Sequence, residues 1–312
     1  MASSYTRLGS KRERGDTTNG PSDRYGHILE RLLAWAWTRD DLRAAIVLGS
    51  RARDDRPADE SSDLDLALVS TDPGSYLRET AWLEHLGTPL LTFVEGQAVG
   101  TGLERRVLFE GDLDVDFAVV GLEEVAGWAS GGIPPEIAAV FARGFRFAVD
   151  KDGLEASMGL GSLDPSGAEP PPDGDTFVSL CHDFLYHALW AAKKLRRGEL
   201  WVAKWCVDGY MKLQLLRMLE WHARVGDGRD TWHNGRFLES WADPRAVAEL
   251  PEAFARYDPD EVGLALRKTV EIFRWVAKEV ATELGHRYPD GADERVVALT
   301  LEHLRRVYPG RA

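Results

Sequence analysis

The chain has 312 residues, 44% apolar and 29% charged, the balance of a soluble globular protein with room for one large domain or two ordinary ones. No run approaches the roughly 18–20 apolar residues of a membrane-spanning helix, and the opening MASSYTRLGSKRERGDTTNGPSD lacks the apolar centre of a secretory signal. The expectation is a cytoplasmic protein, monomeric or weakly homo-oligomeric, with no membrane partner and a disordered tail over residues 1–22. A formal charge of −13 argues against a nucleic-acid partner, whose affinity rests on Lys and Arg neutralising phosphates, and suits a cationic ligand.

Apolar positions Ile28, Leu29, Leu32, Leu33 and Ala36 recur at helical spacing, and Leu42 to Leu48 is a short apolar run that ends in glycine, so a helix precedes a buried strand. Further strands are predicted at Leu64–Val69, Pro89–Val94, Arg106–Phe109 and Val115–Val120, with one more at Phe145–Val149. This first half reads as mixed α/β. The segment GLGSLDPSGAEPPPDGD has the Pro, Gly and Asp content of a linker, placed at residues 154–176. Beyond it Phe177, Leu180, Cys181, Phe184, Ala188, Ala192 and Leu195 trace one helical stripe. Asp258-Pro259-Asp260-Glu261 then reads as a capped helix start, and Gly285 as that helix's stop. Both cysteines, Cys181 and Cys206, fall in helical apolar patterns and are expected in the core.

The stretch AAIVLGSRARDDRPADESSDLDLALVS, residues 44–70, carries the chemistry. An apolar strand ends at Gly49-Ser50, and a second opens with Asp63-Leu64-Asp65. Side chains alternate along a strand, so Asp63 and Asp65 share a face with α-carbons roughly 7 Å apart. Carboxylates so placed suit Mg²⁺, which takes oxygen ligands from one or two carboxylates and completes its shell with substrate phosphates and water. Gly49 permits close backbone approach to a phosphate, while Ser50 and the amides of an expected following helix offer donors. A third carboxylate is expected from GDLDVDFAVV, where Asp112, Asp114 and Asp116 alternate on one face. Asp116, which leads directly into Phe117–Val120, is the preferred choice and Asp114 the alternate. Taken singly, Gly-Ser or Asp-x-Asp is commonplace. Their order and spacing here match a nucleoside triphosphate grip.

These residues resemble the nucleotidyltransferase superfamily, and more narrowly the aminoglycoside 6-adenylyltransferases, also called streptomycin adenylyltransferases. The resemblance runs from about Arg31 to Tyr308 through VLGSRAR, SDLDLALV, VDFAVV, FAVDKDG, AAKKLRRGELWVAK, DGYMKLQLLRMLEWH and FRWVAKEVATELGHRYP. It implies an α+β protein: a nucleotidyltransferase domain with a mixed sheet and flanking helices at 23–153, and an α-helical domain at 177–312, with substrates bound in the cleft between them. It further implies ATP as co-substrate, magnesium on Asp63, Asp65 and Asp116 as the catalytic carboxylates, and nucleotide contacts from Gly49, Ser50, Arg51 and Lys193. The acceptor would be a hydroxyl of a cationic small molecule such as streptomycin, and Glu95, Glu110, Asp183, Tyr186 and Trp205 are candidates to contact it.

Overall fold

The structure, a computed structural model, describes residues 24–53, 56–163, 170–231 and 233–307, so the expected tail at 1–22 lies outside the described residues. The chain divides into two compact units, Met1–Gly167 and Ala168–Ala312. No helix among the described residues is long and apolar enough to cross a membrane.

The first unit runs α1 (Gly26–Ala36), β1 (Leu42–Val47), β2 (Leu64–Ser70), α2 (Pro73–Arg78), β3 (Pro89–Gly96), β4 (Leu103–Phe109), β5 (Leu113–Gly121), α3 (Leu122–Gly131), α4 (Pro135–Ala142), β6 (Arg146–Asp150) and α5 (Leu154–Ser157). Its six strands form one sheet in the order β3-β4-β5-β2-β1-β6. Among the described strands only β2 and β5 pair in parallel, so the sheet is mixed, as the family resemblance implies. The central strands β1 and β2 are apolar almost throughout because both their faces are covered. On one face Leu64, Leu66 and Leu68 of β2 and Val115 and Phe117 of β5 pack with Ile28 and Leu32 of α1. On the other, Ala67 and Val69 meet Val125 of α3, Phe141 of α4, and Leu154, Met158 and Leu160.

That last contact corrects the linker placement. Residues 154–163 include α5, and their three buried apolar side chains anchor them to the sheet, a signal masked in the sequence by surrounding glycines and prolines. At the far end of the expected linker the chain already enters a helix at Gly174, where the Asp173 carboxylate accepts from Thr176 N at 2.8 Å.

The second unit contains α6 (Gly174–Arg196), α7 (Leu200–Trp205), a five-residue π-helix (Cys206–Tyr210), α8 (Met211–Asp227), α9 (Leu238–Trp241), α10 (Pro244–Glu249), α11 (Pro259–Leu284) and α12 (Asp290–Val307). Phe184 of α6 and Phe273 of α11 stack at its centre, their planes within 4° of parallel. Cys181 and Cys206 are buried and free, and burial pushes both thiols up to about 12. The longest helix, α11, starts and stops where the sequence indicates. Asp258 accepts from the amides of Asp260 and Glu261 at 2.9 and 3.1 Å, and Gly285 takes φ +68° at the C-terminal end.

Helix α12 is tied to α11 by a bidentate pair: Arg274 Nε donates to Asp293 Oδ1 at 2.8 Å and Nη2 to Oδ2 at 2.6 Å, with the aspartate side chain fully buried. Removing one member strands the other charge. Arg274→Met is therefore expected to cost on the order of 3 kcal/mol, and the double replacement Arg274→Met/Asp293→Leu considerably less. Urea unfolding followed by circular dichroism would measure both, and equal losses would count against this account.

Candidate active site

The site begins where β1 ends. Gly49–Arg51 form a single 3₁₀ turn rather than the start of a longer helix, so the helical amides expected from the sequence reduce to one short turn. Gly49 adopts φ +63°, and a Cβ there would stand 2.0 Å from Asp65 Oδ2. The absence of a side chain therefore serves first to seat the Asp65 carboxylate against the turn. The hydroxyl of Ser50 is buried and has no hydrogen-bond partner, a costly state for a polar atom with no ligand to meet. Arg51 donates through Nε to the Asp63 carbonyl at 2.8 Å and through Nη2 to the Ser62 carbonyl at 2.9 Å, with its guanidinium 4.0 Å from the centre of the Tyr25 ring. Expected as a nucleotide contact, Arg51 is thus engaged with the loop that delivers Asp63.

Across the sheet, Asp65 of β2 and Asp116 of β5 are partners in the parallel register. With Asp63, just ahead of β2, they bring carboxylate oxygens to within 4.8 Å of one another. Asp116 is 6% exposed; its Oδ2 meets Arg106 Nη2 at 3.1 Å and its Oδ1 has no partner. Burial raises the Asp116 carboxyl to about 7; the Arg106 guanidinium opposes the rise, and the neighbouring Asp65 adds to it. Asp114 lies outside the convergent trio, and the pairing with β2 places Asp116 in it. Asp112 does not extend the alternation: it sits in the turn before β5 at φ +59°, near Arg24.

Arg106 is a site neighbour that no sequence motif marks. It lies opposite Asp116 on β4, and its Nε also reaches Glu95 Oε1 at 2.5 Å and Glu104 Oε1 at 3.1 Å. Its sequence signal is faint, an alternation of Glu104 and Arg106 within a strand whose charges had shortened the predicted span. Glu110 is exposed in the turn after β4. Lys193 is exposed in the last turn of α6 in the helical unit, as are Tyr186 and Trp205 elsewhere in that unit.

A donor set of carboxylate oxygens alone, with a buried one left unpaired, fits a hard divalent cation better than a structural ion-pair network. The profile of the family described as streptomycin adenylyltransferase matches residues 24–303. The aminoglycoside 6-adenylyltransferase of Campylobacter jejuni is 22% identical over 269 residues, 84% of this chain and 90% of that protein. The Bacillus subtilis protein of the same name is 22% identical over 284 residues, 88% of this chain and 95% of its own. A crystal structure of an aminoglycoside 6-adenyltransferase from Bacillus subtilis covers 88% of this chain and 97% of its own at 20% identity, with a TM-score of 0.42. Because the family profile runs from Arg24 to His303 and so takes in both compact units, the chain belongs to the streptomycin adenylyltransferase family and is a nucleotidyltransferase enzyme.

Proposed function

We propose that the enzyme transfers AMP from ATP to a hydroxyl of an aminoglycoside, with the 6-hydroxyl of streptomycin as the first acceptor to test and pyrophosphate as the second product. One observation carries the reading above others: the oxygens of Asp63, Asp65 and Asp116 converge beside the Gly49–Ser50 turn. The names of the relatives supply the acceptor class, and the charge of −13 suits a polycation.

Asp63, Asp65 and Asp116 are the ligands assigned to Mg²⁺. When bound, Mg²⁺ supplies positive charge to the oxygens that gain negative charge during the transfer. The Ser50 hydroxyl, buried and unpaired, donates to a phosphate oxygen of ATP. Arg51 is a positioning residue, holding the carbonyls of Ser62 and Asp63 so that the Asp63 side chain enters the site at a fixed point. The acceptor hydroxyl oxygen bonds to the α-phosphorus as the bond to the β-phosphate bridging oxygen breaks, and Asp116 is the carboxylate assigned to receive the hydroxyl proton. Positioning and charge neutralisation account for most of the rate in such a step.

Streptomycin incubated with the protein, ATP and Mg²⁺ is expected to gain one AMP by mass spectrometry and to remain unmodified with Asp65→Ala; an unmodified drug in the wild-type reaction would overturn the acceptor. Gly49→Ala pushes a methyl into Asp65 and is expected to lower AMP transfer by about 100-fold with the circular dichroism spectrum retained. Activity within a few-fold of wild type would show that Asp65 can be seated elsewhere. Cation binding should also be linked to protons. Because the cation-free Asp116 carboxyl is raised to about 7, binding below that pH displaces a proton, so Mg²⁺ affinity should fall by about tenfold per pH unit below it and level off above. Calorimetry in buffers of different ionisation enthalpy would register that proton, which Asp116→Asn should abolish.

A further inference from the structure

In the helical unit, Asp183, Tyr186 and His187 lie on one face of α6 by their spacing of three and four residues. Trp205 and Tyr210 join them from the next segment. Five residues apart in a regular α-helix, these two would point about 140° away from each other. The π-helix Cys206–Tyr210 widens that turn, and the rings come to 6.4 Å centre to centre. Such π segments are rare and recur at functional sites. The result is an aromatic surface: Tyr186 and Trp205 are 64% and 61% exposed, and the His187 ring lies 4.3 Å from that of Tyr210 and 5.2 Å from that of Tyr186.

The Asp183 carboxylate sits among these rings, with 39% of its side chain exposed. Tyr210 OH donates to Oδ2 at 2.8 Å, Gln214 Nε2 donates to the same oxygen, and His187 Nδ1 lies 2.7 Å from Oδ1. No Lys or Arg among the described residues pairs with it. Gln214 itself is 6% exposed, and its Oε1 is buried without a partner. Tyr210 and Gln214 orient the Asp183 carboxylate without bringing a Lys or Arg charge to it, which leaves the place of a guanidinium or ammonium partner open. Aromatic faces beside it attract organic cations and offer no lone pair to a metal ion.

From this juxtaposition we propose that Asp183, Tyr186 and Trp205 form a binding site for a guanidinium or ammonium group, with Tyr210, Gln214 and His187 as positioning residues. That this cation belongs to the acceptor rests on the aminoglycoside reading above; that the site takes an organic cation does not.

The test uses the full-length protein without nucleotide, titrated calorimetrically with streptomycin and separately with streptidine, its bis-guanidinium ring. Asp183→Asn and Trp205→Leu are each expected to weaken binding of both by about tenfold or more. In AMP transfer the loss should appear as a similar rise in KM for streptomycin, with the KM for ATP changed by less than about twofold. If wild type adenylylates streptomycin and neither variant changes binding or KM, the inference is overturned and the proposed function stands. If wild type modifies no aminoglycoside but binds streptidine in an Asp183-dependent way, the site is supported and the acceptor reading falls. Absence of streptidine binding to wild type overturns the site. Thermal melts accompany each variant, and because Trp205 is mostly exposed, Trp205→Leu carries the test should Asp183→Asn fail to fold.

Discussion

Three carboxylates held with oxygens inside 4.8 Å are the load that the rest of the sheet has to sustain. Two like unit charges about 5 Å apart repel by roughly 3 kcal/mol at an effective dielectric near 20, so the chain has to hold the group together against itself. It does so with apolar burial on the other side of the same strands. Leu64 and Leu66 flank Asp65, and Val115 and Phe117 flank Asp116, all four buried on the face covered by α1. Sliding β2 past β5 by one residue would place the acids in that core and the leucines in the site. Each such side chain contributes about 1.5–3 kcal/mol when fully buried, so the register is set by the core and the carboxylates follow.

Secondary contacts reduce the strain without removing it. Arg106 reaches Asp116 from β4, but it is also engaged with Glu95 and Glu104, so its charge is shared among three acids. Gly49 withdraws a side chain where Asp65 needs space, and Arg51 fastens the preceding loop through its carbonyls. What stays unrelieved is local: the unpaired Asp116 Oδ1 and Ser50 hydroxyl, both buried. Buried polar atoms without partners are uncommon in folded proteins, and two of them belong to the turn after β1 and to the strand that carries Asp116.

The helical unit deals with its buried or half-buried acids in contrasting ways. Asp293 is bound by the Arg274 fork, and Asp208 is paired with Lys204, whereas Asp183 is held by Tyr210, Gln214 and His187. The π-helix has its own support. Lys212 Nζ donates to the Val207 carbonyl at 3.0 Å and to Thr269 Oγ1 at 2.7 Å, satisfying a backbone group within the widened turn and tying it to α11. That burial brings the Lys212 ammonium down to about 8, against the pull of Asp208.

Features governed by near neighbours in the chain were legible from the sequence. Pleat alternation placed Asp63 and Asp65 together, Asp258 with Pro259 started α11, Gly285 ended it, and unbroken apolar runs marked β1 and β2 as buried. Features that join distant positions were decided only by the tertiary structure. Asp116, and not Asp114, lies beside Asp65 because the two pair in register although they are 51 positions apart in the sequence. Arg106 enters the site because β4 lies beside β5, and Asp112 leaves it because the turn into β5 takes that residue. Residues 154–163 look like a linker until the sheet face they cover is known, and the π-helix that unites Trp205 with Tyr210 departs from the helical period used to read the chain. Local periodicity reports which face a residue takes; which strands and helices become neighbours depends on long-range packing, and the site is built at those junctions.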